Sequence, residues 1–397
     1  MANQVKAIDG VLLARIKNFL GLADANLKSI NGLEFTQTLP DIITSGTAYV
    51  FESATTTFIS AVMLSSTKCL VAYSDVGNSD YGTSIILNIS TDTITSGTAY
   101  VFESAGTTFV SAVMLTSTKC LVAYKDNGNS SYGTSIILNI STDTITAGTA
   151  FVFQSTESVY ASTVMLSSTK VLVAYREMGT FHSTSIILNV DGSDNITAGT
   201  AYVFDSGDTT SISAVALSST KVLVAYRDVG NSNYGTAIIL NVSTNTITSG
   251  TAFVFESNAT TYISVAGLSS TKCLVAYKST IHNYGTAIIL NVSTDTITSG
   301  TAYVFESAVT NYISAAKLSS TKVLVAYDDN GNSDYGTSII LNVDGSDAIT
   351  AGTAYVFESA STTFISAVML SSTKCLVAYR DVGNGNYGTS IILNVSA

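Results

Sequence analysis

A carboxylate, a carboxamide and an aromatic ring recur at one spacing along this chain. The sets are Asp75, Asn78 and Tyr81; Asp126, Asn129 and Tyr132; Asp228, Asn231 and Tyr234; Asp329, Asn332 and Tyr335; and Asp381, Asn384 and Tyr387. Carboxylates and amides bind sugar hydroxyls, and an aromatic face stacks on a C–H surface, so the trio suits a carbohydrate. The same residues also build turns: Gly and Asn favour tight loops, and a Tyr packs readily at a sheet edge. Both readings stand open at this level. The Asp-x-Gly-Asn-x-Asp spelling resembles a calcium loop but lacks the Glu at position twelve, so no metal is expected.

Other chemistry is thinly represented. His182 and His282 fall in different loops at non-equivalent positions, which makes a catalytic or metal pair an unfavourable reading. No G-x-S-x-G nucleophile motif and no phosphate-binding glycine loop is present. Asp328 and Asp329 adjoin in one copy alone and read as solvated loop residues. Cys69, Cys120, Cys273 and Cys375 share one repeat position with Val171, Val222 and Val323. They are expected to be buried free thiols, with no redox role. The expectation is therefore a protein without catalytic residues or cofactor.

Those loops belong to a repeated unit. Gly46, Gly97, Gly148, Gly199, Gly250, Gly300 and Gly352 each open a Gly-Thr-Ala run, at spacings of 51, 51, 51, 51, 50 and 52. Each unit carries four β-patterned runs, in the first copy Thr57–Leu64, Lys68–Tyr73, Tyr81–Ile89 and Gly97–Glu103, rich in Val, Ile, Thr, Tyr and Phe. The third run is apolar on both faces, which demands cover on both sides, and radial stacking of meanders supplies it. The predicted fold is all-β: a seven-bladed β-propeller of four antiparallel strands per blade, spanning residues 42–397. The small Ser60-Ala61 pair and its counterparts place the first run innermost. The phase leaves Gly46–Ser53 as a lone outer strand that should pair with Tyr387–Val395 and close the ring.

Lysines 68, 119, 170, 221, 272, 322 and 374 start the second run of every copy and should edge the opposite rim. Edge protection and solubility explain them there, with anion binding the lesser alternative. The sequons at Asn88, Asn139, Asn241, Asn291 and Asn394 lie in strand patterns and read as accidents of composition. Hydrophobic residues make up 46%, charged residues 11%, and the net charge is −11, which disfavours a nucleic-acid partner. No apolar run is long enough to span a bilayer, so no membrane insertion is expected.

Residues 1–41 form a separate arm with an eleven-residue period. It carries Ile8, Val11, Ile16, Phe19, Leu22, Leu27, Ile30 and Leu33, with turn dipeptides at Asp9-Gly10 and Asn31-Gly32, and is predicted as short strands and turns. Too short to bury these residues itself, it calls for a partner surface. Its Lys6-x-Ile8-x-Gly10-Val11 and Ala25-Asn26-Leu27-Lys28-Ser29-Ile30-Asn31-Gly32-Leu33-Glu34 spelling resembles the leader of tailed-bacteriophage virion proteins of fibre or appendage type. The repeats are similar to phage and bacterial propeller repeats and, more loosely, to propeller lectins. The resemblance implies a non-enzymatic virion structural protein, made in the host cytoplasm without a signal peptide. It would bind other virion subunits through the arm and contact a host-surface glycan or receptor through the propeller. A free multivalent lectin is the alternative, and a surface-polysaccharide depolymerase the next.

Overall fold

The computed structural model describes residues 41–396 and, within the arm, the backbone of four short strands. Ala7–Ile8 pairs antiparallel with Val11–Leu12, and Ser29–Ile30 with Leu33–Glu34. Each pair spans one of the two turn dipeptides. Ile16, Phe19, Leu22 and Leu27 lie outside the described residues. The chain divides into two compact units at residues 41 and 42.

The second unit is all-β and propeller-like: one antiparallel sheet of 29 strands, with two three-residue helical turns among the described residues. The repeats are numbered here by their second strands: Lys68–Asp75, Lys119–Asp126, Lys170–Glu177, Lys221–Asp228, Lys272–Ser279, Lys322–Asp329 and Lys374–Asp381. Each second strand pairs in unbroken register with the third strand of its repeat, as Cys69↔Leu87 and Asp75↔Tyr81 show.

The fourth strand differs from the expected Gly97–Glu103. It comes in two pieces: Thr93–Ser96 pairs with the third strand, the Gly97 N–H still donates to the Ile86 carbonyl at 2.9 Å, and ladder pairing resumes at Tyr100. In four repeats the interruption coincides with a close approach to the next repeat. A Cβ on Gly97 would stand 2.4 Å from the Asp143 carbonyl oxygen of the next repeat, and Gly46, Gly199 and Gly250 are as tightly placed. Pairing then continues, through several register shifts, into the first strand of the next repeat, so Tyr100–Thr116 is one 17-residue strand serving two repeats. The fourth and first runs, read separately in the sequence, are thus continuous, with irregular register and a left-handed Phe109 near the junction. The exception is Tyr202–Asp205 and Thr209–Ser218, separated at Gly207, whose N–H donates to Asp205 Oδ1 at 2.7 Å.

The two ends of this unit share a sheet. Tyr387–Ser396 pairs with Ile42–Ser45, as Leu393↔Ser45 and Ser396↔Ile42, and with the start of Tyr49–Ser65, as Ser390↔Tyr49.

Apolar residues from successive repeats interleave. Val71, Ile85 and Leu87 of the first repeat pack with Leu370, Leu376 and Ile392 of the seventh. Ile86 faces the opposite way, onto Val122 and Leu138 of the second. Both faces of the third strand are thus covered. The four cysteines are free and buried among these layers, and burial pushes the Cys120, Cys273 and Cys375 thiols up to about 12, which makes them unreactive.

The first strands are tied by serine rather than merely slimmed by it. Ser60 Oγ accepts the Ala112 N–H, Ser111 that of Thr163, Ser162 that of Ala214, Ser213 that of Val265, Ser264 that of Ala315, Ser314 that of Ala367 and Ser366 that of Ala61, all at 2.9–3.1 Å. Each repeat is bonded to the next, and the seventh to the first.

Candidate functional site: the loop end of the repeats

The loops joining second and third strands gather the predicted trios, with a division of labour that the sequence conceals. Asp75, Asp126, Asp329 and Asp381 are buried, at 5–7% exposure, and each stands opposite its Tyr in the ladder. Four of the five loop carboxylates serve the turn, whereas Asp329 makes no side-chain cap bond and its Oδ1 is buried without a partner among the described residues. Asn78 N–H donates to Asp75 Oδ1 at 3.2 Å, Asn129 to Asp126 at 3.1 Å, Asn231 to Asp228 at 2.9 Å and Asn384 to Asp381 at 3.1 Å. Burial raises the Asp75, Asp228 and Asp381 carboxyls above the usual range, against those turn bonds, and raises Asp329 as well. What faces solvent is the amide of Asn78, Asn129, Asn231, Asn332 and Asn384, with the half-buried rings of Tyr81, Tyr132, Tyr234, Tyr335 and Tyr387 beside it.

Asp328 and Asp329 are not the solvated pair expected of them. At 4% and 7% exposure they lie under the sixth loop, and Asp328 Oδ2 accepts from Asn311 Nδ2 at 3.1 Å. A second carboxylate row lies below: Tyr73 donates its hydroxyl to Glu52 at 3.0 Å, Tyr124 to Glu103 at 3.0 Å, Tyr226 to Asp205 at 2.9 Å and Tyr379 to Glu358 at 2.9 Å. His182 and His282 sit in the separate third and fifth loops, with the His282 ring 5.1 Å from Tyr284. Among the described residues no group of three or more His, Cys, Asp and Glu is placed to hold a metal.

A further feature has no counterpart in the sequence reading. Phe58, Phe109, Tyr160, Ser211, Tyr262, Tyr312 and Phe364 occupy one repeat position, and all seven have φ between 47° and 55°. Bulky side chains avoid this left-handed region, at a cost of roughly 1 kcal/mol or more each. The six rings touch in succession from Tyr160 through Phe109, Phe58, Phe364 and Tyr312 to Tyr262, with centroids 5.0–5.4 Å apart. The series breaks at Ser211. Together they wall a cavity of about 700 Å³.

Beside this collar, at the next-to-last residue of the second strand, stand Lys125, Arg176, Arg227, Lys278 and Arg380, with Ser74 and Asp328 in the other two repeats. Lys125 pairs with Glu157 at 2.5 Å and Arg176 with Asp208 at 2.7 Å. The other three meet no carboxylate at ion-pair distance among the described residues. Arg227 donates twice to Asn233 Oδ1, Lys278 to Asn311 Oδ1 and Arg380 to Thr363 Oγ1. Lys278 Nζ lies 5.5 Å from the Tyr262 ring centre and the Arg380 guanidinium 5.0 Å from that of Phe364. Six aromatics in phase, each three residues ahead of a small Ala, Val or Thr, were the available signal.

At the opposite end the lysines fasten repeat to repeat. Lys68 pairs with Asp143, Lys221 with Asp295, Lys272 with Asp347 and Lys374 with Asp92. The same carboxylates accept from the sequon asparagines, as Asn291 Nδ2 to Asp347 at 2.6 Å and Asn88 Nδ2 to Asp143 at 2.9 Å. The Lys272 bond, opposed by desolvation and helped by Asn291, holds the Asp347 carboxyl below its usual range. A carboxyl depressed in the folded state stabilises above its unfolded value of about 4 and loses that contribution as pH falls further. Lys272→Ala is expected to cost about 0.5–1 kcal/mol in urea denaturation at pH 7, and nothing by pH 2.

No protein-family model and no curated protein matches the chain. Solved structures do. The WD40 domain of Toxoplasma gondii coronin is similar over 90% of this chain and 87% of its own, at TM-score 0.57 and 11% identity. A K499G mutant of the NanB sialidase of Streptococcus pneumoniae is similar over 94% of this chain and 72% of its own, at TM-score 0.50 and 11% identity. At such identities the likeness is one of fold. The chain is a propeller-like all-β repeat protein.

Proposed function

We propose that residues 42–396 form a closed seven-bladed propeller that binds rather than catalyses, and that the chain is a virion structural protein of tail-fibre or appendage type. Closure is supported by the serine bonds that run through seven repeats and return to the first, and by the sheet shared between the two ends. The observation that carries the binding role is the loop end, where five in-register loops expose an amide beside a half-buried Tyr. With four of the five carboxylates committed to the turns and Asp329 buried, each loop offers few contacts. Individual sites are then weak, on the order of millimolar, and useful attachment comes from several engaging one surface.

The arm is the fastening to other virion subunits, and the loop end contacts host-surface glycan. Replacing Tyr81, Tyr132, Tyr234, Tyr335 and Tyr387 by Ala is expected to lower attachment to host cells and to a glycan array by at least tenfold while the melting temperature holds. Unchanged attachment by the folded variant removes the loops from the binding surface. Purified particles should contain the full chain and fail to take up one lacking residues 1–41; a truncated chain that instead agglutinates cells unaided makes the protein a free lectin.

A further inference from the structure

We propose that the cavity walled by the aromatic collar is a single binding site for an acidic sugar at the end of a saccharide chain, one per molecule and separate from the five loop sites. The inference rests on the reading of the loop end as a glycan-contacting surface, and it adds a charge requirement that the loops lack.

Stoichiometry comes from convergence. The loop sites repeat, but the collar residues of all the repeats face one cavity, so one ligand occupies it. The wall is polarised. Repeats four and five contribute Ser211, Arg227, Lys278, Thr280 and Asn283, whereas the remaining repeats contribute aromatic rings and the aliphatic residues that follow them. A sugar ring has the same two-sided character, with C–H faces for aromatic contact and hydroxyls for Thr and Asn. The fifth loop departs from the Asp-x-Gly-Asn pattern, and that departure places Thr280 and Asn283 on the wall.

Charge selects an acidic sugar. Arg227 and Lys278 lie on the polar side without a carboxylate partner among the described residues, in a chain whose net charge is −11. Arg227 spends Nε–H and one terminal nitrogen on Asn233, which leaves guanidinium N–H groups for a carboxylate, sulfate or phosphate group. Burial lowers the pKa of Lys278, opposed by the Asp328 carboxylate that it reaches only through Asn311, so the cation is partly stripped of water and has no direct ion pair among the described residues. Thr210 Oγ1 and Thr261 Oγ1, opposite these two cations in the ladder, are buried hydroxyls with no partner among the described residues. The rings follow one another from Tyr160 to Tyr262 around one concave space, a shape that suits the tip of a saccharide better than a chain lying across it.

Seven left-handed residues support a selected arrangement. Strain at one position could be accidental, but the same unfavourable φ with six aromatic side chains holds the rings edge to edge around one space.

The test is calorimetric titration of the full chain with trigalacturonate, sialyllactose and a phosphorylated trisaccharide. Fully methyl-esterified trigalacturonate, lactose and the dephosphorylated trisaccharide serve as neutral controls, alongside phosphatidylglycerol–phosphatidylcholine vesicles. At least one acidic oligosaccharide should bind with one site per chain, and its neutral control at least tenfold more weakly. Arg227→Gln and Lys278→Gln should each weaken it about tenfold, the scale of a charged hydrogen bond. Ser211→Phe, which restores the ring present in the other repeats, should block the gap and weaken it as much without loss of fold. The five-tyrosine variant should keep this site. No preference for the acidic probes, or a preference untouched by these three substitutions, overturns the proposal. Vesicle binding that the same substitutions abolish, with no oligosaccharide bound, overturns it in favour of an anionic lipid headgroup. Absence of one-site calorimetric binding by every acidic probe, with array binding still lost in the five-tyrosine variant, would leave the loops standing and the cavity excluded.

Discussion

A chain lacking residues 42–53 is expected to aggregate on refolding, whereas one lacking residues 1–36 keeps its circular dichroism and melting temperature. Tyr387–Ser396 is the third strand of the seventh repeat, and among the described residues Ile42–Ser45 with the start of Tyr49–Ser65 are its only partners on one side. Removing them bares a ten-residue strand that is apolar on both faces, an edge ready to pair with another chain. The same deletion takes Ile43 and Phe51, 4% and 7% exposed, out of two apolar layers. Each such loss is worth about 2–4 kcal/mol. Size-exclusion chromatography with light scattering separates the outcomes, and a monomeric, cooperatively unfolding 42–53 deletion would refute this account of the ends.

Asp328→Asn should stabilise the protein at pH 7 by up to about 3 kcal/mol and by nothing below pH 4. Burial, opposed by the Asn311 bond and reinforced by Asp334 and Asp329, raises this carboxyl to about 6, and its Oδ1 has no partner. The unfolded chain holds the same proton only below about 4. Between those values the folded state binds more protons, so native stability rises as pH falls from 7 towards 5. Asparagine removes that dependence while its side-chain oxygen still accepts from Asn311. Burial raises Glu52, Glu103 and Glu358 in the same direction, so the wild type retains part of the acid gain. Urea midpoints at pH 5 and 7 for both proteins measure the difference, and equal pH slopes would mean that Asp328 titrates normally.

The period and strand chemistry made the β-repeat array legible: alternating and doubly apolar runs of Val, Ile and Leu leave few other ways to be covered. The loop trios were legible as a group but not in their roles. A carboxylate among Gly and Asn looks solvated, and only the direction of the Asn78 and Asn384 N–H groups turns Asp75 and Asp381 inward. The lysine ring was visible, but its partners Asp143 and Asp347 lie 75 residues on. Sequence proximity cannot register them. The collar escaped because Phe and Tyr signal strand, and nothing in a residue type announces a left-handed φ. The 17-residue strands escaped for a related reason, since the joint between the two runs is irregular in register and carries the left-handed residue.

The shared sheet at the two ends also sets a timetable for synthesis. Ser396 Oγ donates to the Ile42 carbonyl across 354 residues of chain. At translation rates of 5–20 residues per second, the first strand waits roughly 20 to 70 s for its partner. Throughout that interval both edges of the growing array are bare. The waiting segment is also not unique, because the eleven residues Ile43–Ser53 recur unchanged at Ile94–Ser104 and Ile297–Ser307. Neighbouring chains on one polysome therefore carry interchangeable copies of the missing strand, and exchange between them competes with completion from within. Yield of the correctly joined monomer should fall with the density of ribosomes on its message more steeply than for a protein whose ends meet early.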